Sequence, residues 1–186
     1  MKRLTGSFWA AWNLAALCAI LLWAPAATAE TLSIKAFYGT FKGTGIAENR
    51  DSVYFGVTVR DLDVTIQPAG QGFEISWTTV IRRGGDPNRP KVRTKSQKMT
   101  FLPTAKPGVY RGDNNGDPLS GALYAWARIK KNALITYVFS INQDGSYEVQ
   151  SYTRRLVPSG MAFVFERIKD GEPVRIVKGN LVKHSR

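Results

Sequence analysis

The stretch "ALITYVFSINQDGSYEVQSYTRRLVPSGMAFVFERIK" (residues 133–169) decides the fold. Ile135, Tyr137, Phe139 and Ile141 alternate with Thr136 and Ser140, and period two is the signature of a strand with two unlike faces. "QDG" turns the chain, residues 146–156 run back, and "VPSG" turns it again. Met161, Phe163 and Phe165 then share a face, "DGEP" makes a further turn, and residues 174–182 close the series. Strands of this length joined by Asp-Gly and Pro/Gly turns predict an antiparallel meander.

The same pattern extends towards the N-terminus. Val53, Phe55, Val57 and Val59 alternate with polar or small residues, as do Leu62, Val64 and Ile66, and then Phe73, Ile75, Trp77, Thr79 and Ile81. No long window shows a 3.6-residue period, although a short helical turn fits around residues 118–122. The expectation is an all-β domain: a single antiparallel up-and-down β-barrel of eight to ten strands, closed because closure removes the exposed edges of a long meander.

"YGTFKGTGIAE" (residues 38–48) reads as a strand by its aromatics yet carries Gly39, Gly43 and Gly45. Glycine weakens a strand interior, so three of them predict a bend or a close approach of backbone. Gly39-Thr40-Phe41 resembles the first-strand Gly-x-Trp motif of lipocalin-like (calycin) proteins, with Phe in place of Trp. The resemblance covers one strand and implies a small exported barrel of the kind that holds apolar ligands. Nitrobindin-like barrels have similar spacing and bind haem through a histidine. The sole histidine here is His184, a tail residue, so that activity does not carry over.

The first 29 residues read as a secretory leader: Lys2 and Arg3, an apolar run over residues 8–23, and Ala27 and Ala29 before Glu30. Cleavage is expected after Ala29, which leaves residues 30–186 as the β-barrel domain and places it in the periplasm. Cys18 goes with the leader, so disulfide and thiol chemistry are excluded from the mature chain. The whole chain carries 26 Lys and Arg against 14 Asp and Glu, a net charge of +12. Losing Lys2 and Arg3 lowers this to +10. Such a surface is drawn to anions; in an envelope those are lipid or polymer anions, and nucleic acid is not expected. The mature chain is not expected to span a membrane.

Acid/base groups are sparse. Asp61 and Asp63 share one strand face and read as solvated, and Asp113 and Asp117 sit in a polar turn. With no imidazole base, no cofactor or metal is expected, and the chain reads as not an enzyme.

The candidate ligand-binding residues come from the aromatic face and from two basic features. Phe41, Phe55, Phe73, Trp77, Tyr137, Phe139, Phe163 and Phe165 can be assigned to one apolar face, which either fills the barrel or lines a cavity. Trp126 and Arg128 share a face with Tyr124. In "SYTRR", Tyr152 and Arg154 share a face. The reversed order resembles the Arg-x-Tyr pair with which intracellular lipid-binding barrels hold a carboxylate. Tyr147 and Val149 on the other face look more like the interior. That favours Tyr152 and Arg154 outside with Arg155 inside; one arginine of the pair points into the barrel either way. Residues 82–98 hold Arg82, Arg83, Arg89, Lys91, Arg93 and Lys95 as candidate anion contacts, in either a solvated hairpin or an anion-binding flap. The expected function is non-catalytic periplasmic binding of an amphipathic or apolar anionic small molecule, with a lipid as the candidate ligand. The alternative is an envelope structural or interaction protein with a filled barrel and a basic docking surface.

Overall fold

In the computed structural model, residues 31–50, 57–83 and 91–184 are described. The expected leader, Phe55 and Arg89 lie outside them. Ten strands form one closed antiparallel barrel: β1 (Gly39–Asn49), β2 (Val57–Ala69), β3 (Gly72–Arg83), β4 (Lys91–Pro103), β5 (Val109–Gly112), β6 (Tyr124–Lys130), β7 (Ala133–Ile141), β8 (Tyr147–Val157), β9 (Gly160–Lys169) and β10 (Glu172–His184). The all-β barrel expected from the period-two pattern is therefore found, at the upper end of the expected strand count. The helical turn expected near residue 118 is a 3-10 turn at Pro118–Ser120, capped by the Asp117 side chain accepting from the Leu119 N–H.

Closure depends on β1, which pairs along nearly its whole length with both β2 and β10. Here the glycines find their reason. A Cβ on Gly43 would overlap the carbonyl oxygen of Asn180 on β10. Gly45 faces Gly179 across the same ladder, and a Cβ there would stand 3.0 Å from both the Leu62 side chain and the Lys178 carbonyl. The strand tolerates glycine because the β1–β10 backbones approach too closely for side chains.

Strict alternation sorts inside from outside. Phe41, Gly45 and Ala47 are buried on β1, and Leu62, Val64 and Ile66 on β2. Phe73, Ile75 and Trp77 are buried on β3, and Ala125, Ala127 and Ile129 on β6. On β7, beyond the buried first residue Ala133, the inward set is Leu134, Thr136 and Val138, which corrects the sequence reading. Tyr137 and Phe139 have the opposite parity and lie on the outer wall. β2 brings a second correction. It is continuous from Val57, so the phase set by Leu62 puts Arg60 inside and leaves Val59 56% exposed.

The end of the barrel where β1 begins and β10 ends is filled. Phe37, from the 3-10 turn Ile34–Phe37, is fully buried, as are Phe41, Phe73, Phe101, Met161 and Leu181. Phe73 stacks on Phe101 at 5.3 Å and meets Tyr110 edge-on at 4.9 Å, arrangements that aromatic quadrupoles favour. The other end, towards the start of β2, β8 and β10, is not filled. The interior is thus neither wholly hollow nor wholly packed.

Candidate ligand-binding site

At that open end lies a cavity of about 160 Å³. Its walls are apolar where Leu62, Trp77, Tyr152, Phe163, Phe165 and Val177 face inward. Arg60, Lys95, Arg167 and Arg175 stand around it together with Thr79, Gln97 and Gln150, and no carboxylate is among the lining residues. Period two brings these cations in: each holds the inward parity of a strand whose deeper members are apolar.

The arginine pair is resolved against the sequence reading. Arg154 is inside and fully buried, and Tyr152 is buried with it. Arg155 is exposed and donates to the Asn132 side-chain oxygen at 3.1 Å. The reason is register: Tyr152 opposes Thr136 and Arg154 opposes Leu134, both inward residues of β7. One arginine of the two does point inward, as alternation requires.

The Arg154 guanidinium lies 5.5 Å from the Trp77 ring centre, 5.3 Å from Tyr152 and 5.8 Å from Phe163. It donates from Nη1 to Thr136 Oγ1 at 3.1 Å. Nε and Nη2 have no protein partner. Aromatic faces attract a cation but do not replace its lost hydration, and burial brings the Arg154 pKa down to about 10. Burial likewise pushes the Tyr152 hydroxyl up to about 12, although neighbouring Arg154 opposes this. That hydroxyl donates to Gln150 Oε1 at 2.6 Å, and Gln150 Nε2 donates to Glu148 Oε1 at 2.6 Å. Glu148 in turn pairs with Arg167. The chain from Tyr152 to Arg167 orients the rim arginine from below.

Lys95 is exposed, yet its ammonium is held below the ordinary lysine value. Partial desolvation is the main cause, followed by repulsion from Arg93, Arg175, Arg60 and Arg167. Like charges gathered round a concave surface repel one another, and a bound anion relieves that repulsion.

The other residues singled out in the sequence divide clearly. Trp77, Phe163, Phe165 and Lys95 line the cavity, and Arg154 packs against its aromatic wall. Phe41 belongs to the packed core, beneath the Lys183 ammonium. Trp126, Arg128, Tyr137 and Phe139 lie on the outer wall, where Trp126 stacks on Tyr137 at 4.8 Å. Arg93 is exposed beside Lys95. Arg82 and Arg83 fall at the end of β3, and Lys91 begins β4. Sequence reading missed Arg60, Arg167, Arg175, Gln97 and Gln150. Parity carried forward from Leu62, Phe165 and Val177 would have found the three arginines. Among the described residues, no group of three or more His, Cys, Asp or Glu is placed to hold a metal.

No protein-family model and no curated protein matches this sequence. Among solved structures, the chain is similar to the S-type phycobiliprotein lyase CPES of Guillardia theta, at a TM-score of 0.36 and 8% identity over 82% of this chain and 91% of that one. The closed antiparallel ten-strand barrel is itself consistent with a lipocalin-like (calycin) barrel. The comparison corrects one expectation. The chain was read as not an enzyme because acid/base groups are sparse, but the neighbour is by name a lyase, so that exclusion is withdrawn. At this similarity no activity or site is transferred from that protein to this one.

Proposed function

We propose that the protein binds a compact anionic molecule with an apolar body in the open end of its barrel, after export to the periplasm. One observation carries the reading: four cationic side chains and no carboxylate line a cavity whose walls are otherwise largely aromatic and aliphatic. Apolar walls with a few convergent polar groups are what small-molecule sites share. The volume narrows the ligand class. A cavity of about 150 Å³ is known to hold benzene, so this one takes a ring-sized group or the last few carbons of a chain. A long lipid tail does not fit, because the far end is occupied by Phe41, Phe73, Phe101 and Met161. A lipid-like ligand would leave most of its length outside.

Fluorescence tests this directly. Trp77 and Trp126 are the two tryptophans beyond residue 29. In the chain lacking residues 1–29, Trp126→Phe leaves cavity-lining Trp77 as the reporter. Naphthalene-2-sulfonate should shift its emission, and uncharged 2-naphthalenemethanol should bind more weakly. Losing hydrogen bonds to a charged group costs roughly 1.5–3 kcal/mol each, so Arg60→Gln with Lys95→Gln should weaken the sulfonate at least tenfold. Equal affinity for the neutral probe, or an unmoved emission, would defeat the proposal.

A further inference from the structure

The barrel closes, but one of its ladders is incomplete. β4 pairs with β3 from Phe73↔Phe101 to Arg83↔Lys91. With β5 it shares only Phe101↔Gly112, Leu102↔Arg111 and Pro103↔Tyr110, plus the bond from the Asp113 N–H to the Thr100 carbonyl at 2.9 Å. The chain then leaves β4, and β6 begins at Tyr124, already paired with Phe139 of β7. Successive strand residues turn their N–H and C=O to opposite neighbours. Since Thr100 faces the β5 side, Lys98, Ser96, Thr94 and Val92 face it too. Among the described residues nothing pairs with the backbone of these four.

We propose that this open edge of β4 accepts an extended, acidic strand from a partner protein, which completes the barrel wall. Strand addition to a sheet edge takes its affinity from main-chain bonds and its specificity from alternate side chains. The side chains here select the partner. Arg93, Lys95 and Lys98 are all exposed. Lys98 pairs with Glu74 at 2.7 Å, and Asp113 lines the space beside Lys98. Lysine on an edge strand opposes pairing with like strands, and like charges directly opposite are destabilising. A second copy of this edge is therefore disfavoured and an acidic strand favoured. Across from Lys98 and Thr100 stands Leu123, 51% exposed. At the foot of the gap, a space of about 240 Å³ between Lys98, Met99, Thr100, Gly112 and Leu123 has room for a large side chain. The strand would thus carry acidic residues together with apolar ones. It would also wall the cavity along its Lys95–Gln97 side, a consequence that does not depend on what the cavity binds.

The test uses an N-acetylated octapeptide alternating Glu with Val. Its addition should slow hydrogen exchange at the amides of Val92, Thr94, Ser96 and Lys98, and the matching Lys–Val peptide should leave them unchanged. Proline is accepted on an edge strand where its missing N–H faces outward. Thr94→Pro should therefore keep the β3 ladder and fold, yet weaken the peptide at least tenfold. If Thr94→Pro does not fold, the same peptide N-methylated at alternate residues decides: it should fail to bind the unaltered protein. No protection at the four amides, or undiminished binding by the proline variant or the N-methylated peptide, overturns the proposal.

Discussion

Arg154 is a residue whose burial works against stability. It is fully buried, with Nε and Nη2 lacking protein partners. Bringing its pKa from the ordinary arginine range down to about 10 corresponds to a cost of about 3 kcal/mol at neutral pH. The three aromatic faces offset part of this. Replacing a buried charge by an apolar side chain of similar volume is often neutral or stabilising. Arg154→Met should therefore raise the stability of the ligand-free protein by about 1 kcal/mol while weakening anions bound against its aromatic wall. The pH dependence carries a sign. Because burial disfavours the charged form, the penalty is complete below about pH 10 and lifts as pH rises beyond it. The stability gap between Arg154→Met and the unaltered protein, read from urea titrations between pH 7 and 11, should narrow at the alkaline end. A gap that widens would assign the cost to something other than the charge. Lys95 gives a second pH effect. Its pKa is lowered by desolvation and by neighbouring arginines, and a bound anion favours its protonated form. Anion affinity should fall as pH climbs through that lowered value, and Lys95→Arg, which stays charged, should remove most of the fall.

At the scale of the element, β1 carries the closure of the barrel. Its glycines are required by the backbone of β10 rather than by flexibility. Gly43→Val forces its Cβ onto the Asn180 carbonyl, and relief requires parting the β1–β10 ladder. A loss of about 3 kcal/mol or more, or failure to fold, is expected from overpacking of this kind. Gly70 is the contrast. It sits in the β2–β3 turn with φ +53°, and a Cβ there meets nothing within 4 Å. Gly70→Ala should cost only the strain of a left-handed backbone, about 1–2 kcal/mol. Denaturant midpoints of the two variants check the order. Equal effects would mean that the close approach of β1 to β10 is not what the glycines serve.

For the whole molecule, charge and architecture work together. A net charge of +12 disfavours the compact state by self-repulsion, and the cations about the open end concentrate that repulsion in one place. An anion that binds only the folded chain stabilises it by mass action, about 2.7 kcal/mol at one hundred times its Kd. At equal ionic strength, an aryl sulfonate should therefore raise the melting temperature of the chain lacking residues 1–29 more than chloride does. The difference should shrink in the Arg60→Gln, Lys95→Gln variant. If the rise follows ionic strength alone, general screening explains it and the cavity takes no part.

Period-two alternation in "ALITYVFSI" and "MAFVFERIK", and the Asp-Gly turns between strands, determined the all-β meander, and its length implied closure. Local chemistry suffices for that because a half-buried strand must alternate. Composition also showed the excess of positive charge. What alternation leaves open is which of two faces is inside, since a one-residue change of phase exchanges them. Tyr137 and Phe139 are as apolar as any core residue, yet register with β6 and β8 turned them outward. The same register turned Arg154, Arg167 and Arg175 inward. The Val57–Val59 run looked like an inward face, but β2 continues without a bulge to Leu62, and Arg60 takes the interior instead. The convergence of Arg60, Lys95, Arg167 and Arg175 joins four strands that are distant in sequence, and the open edge of β4 follows from where β6 begins. Both depend on strand register around a closed barrel, a long-range property that no local window contains.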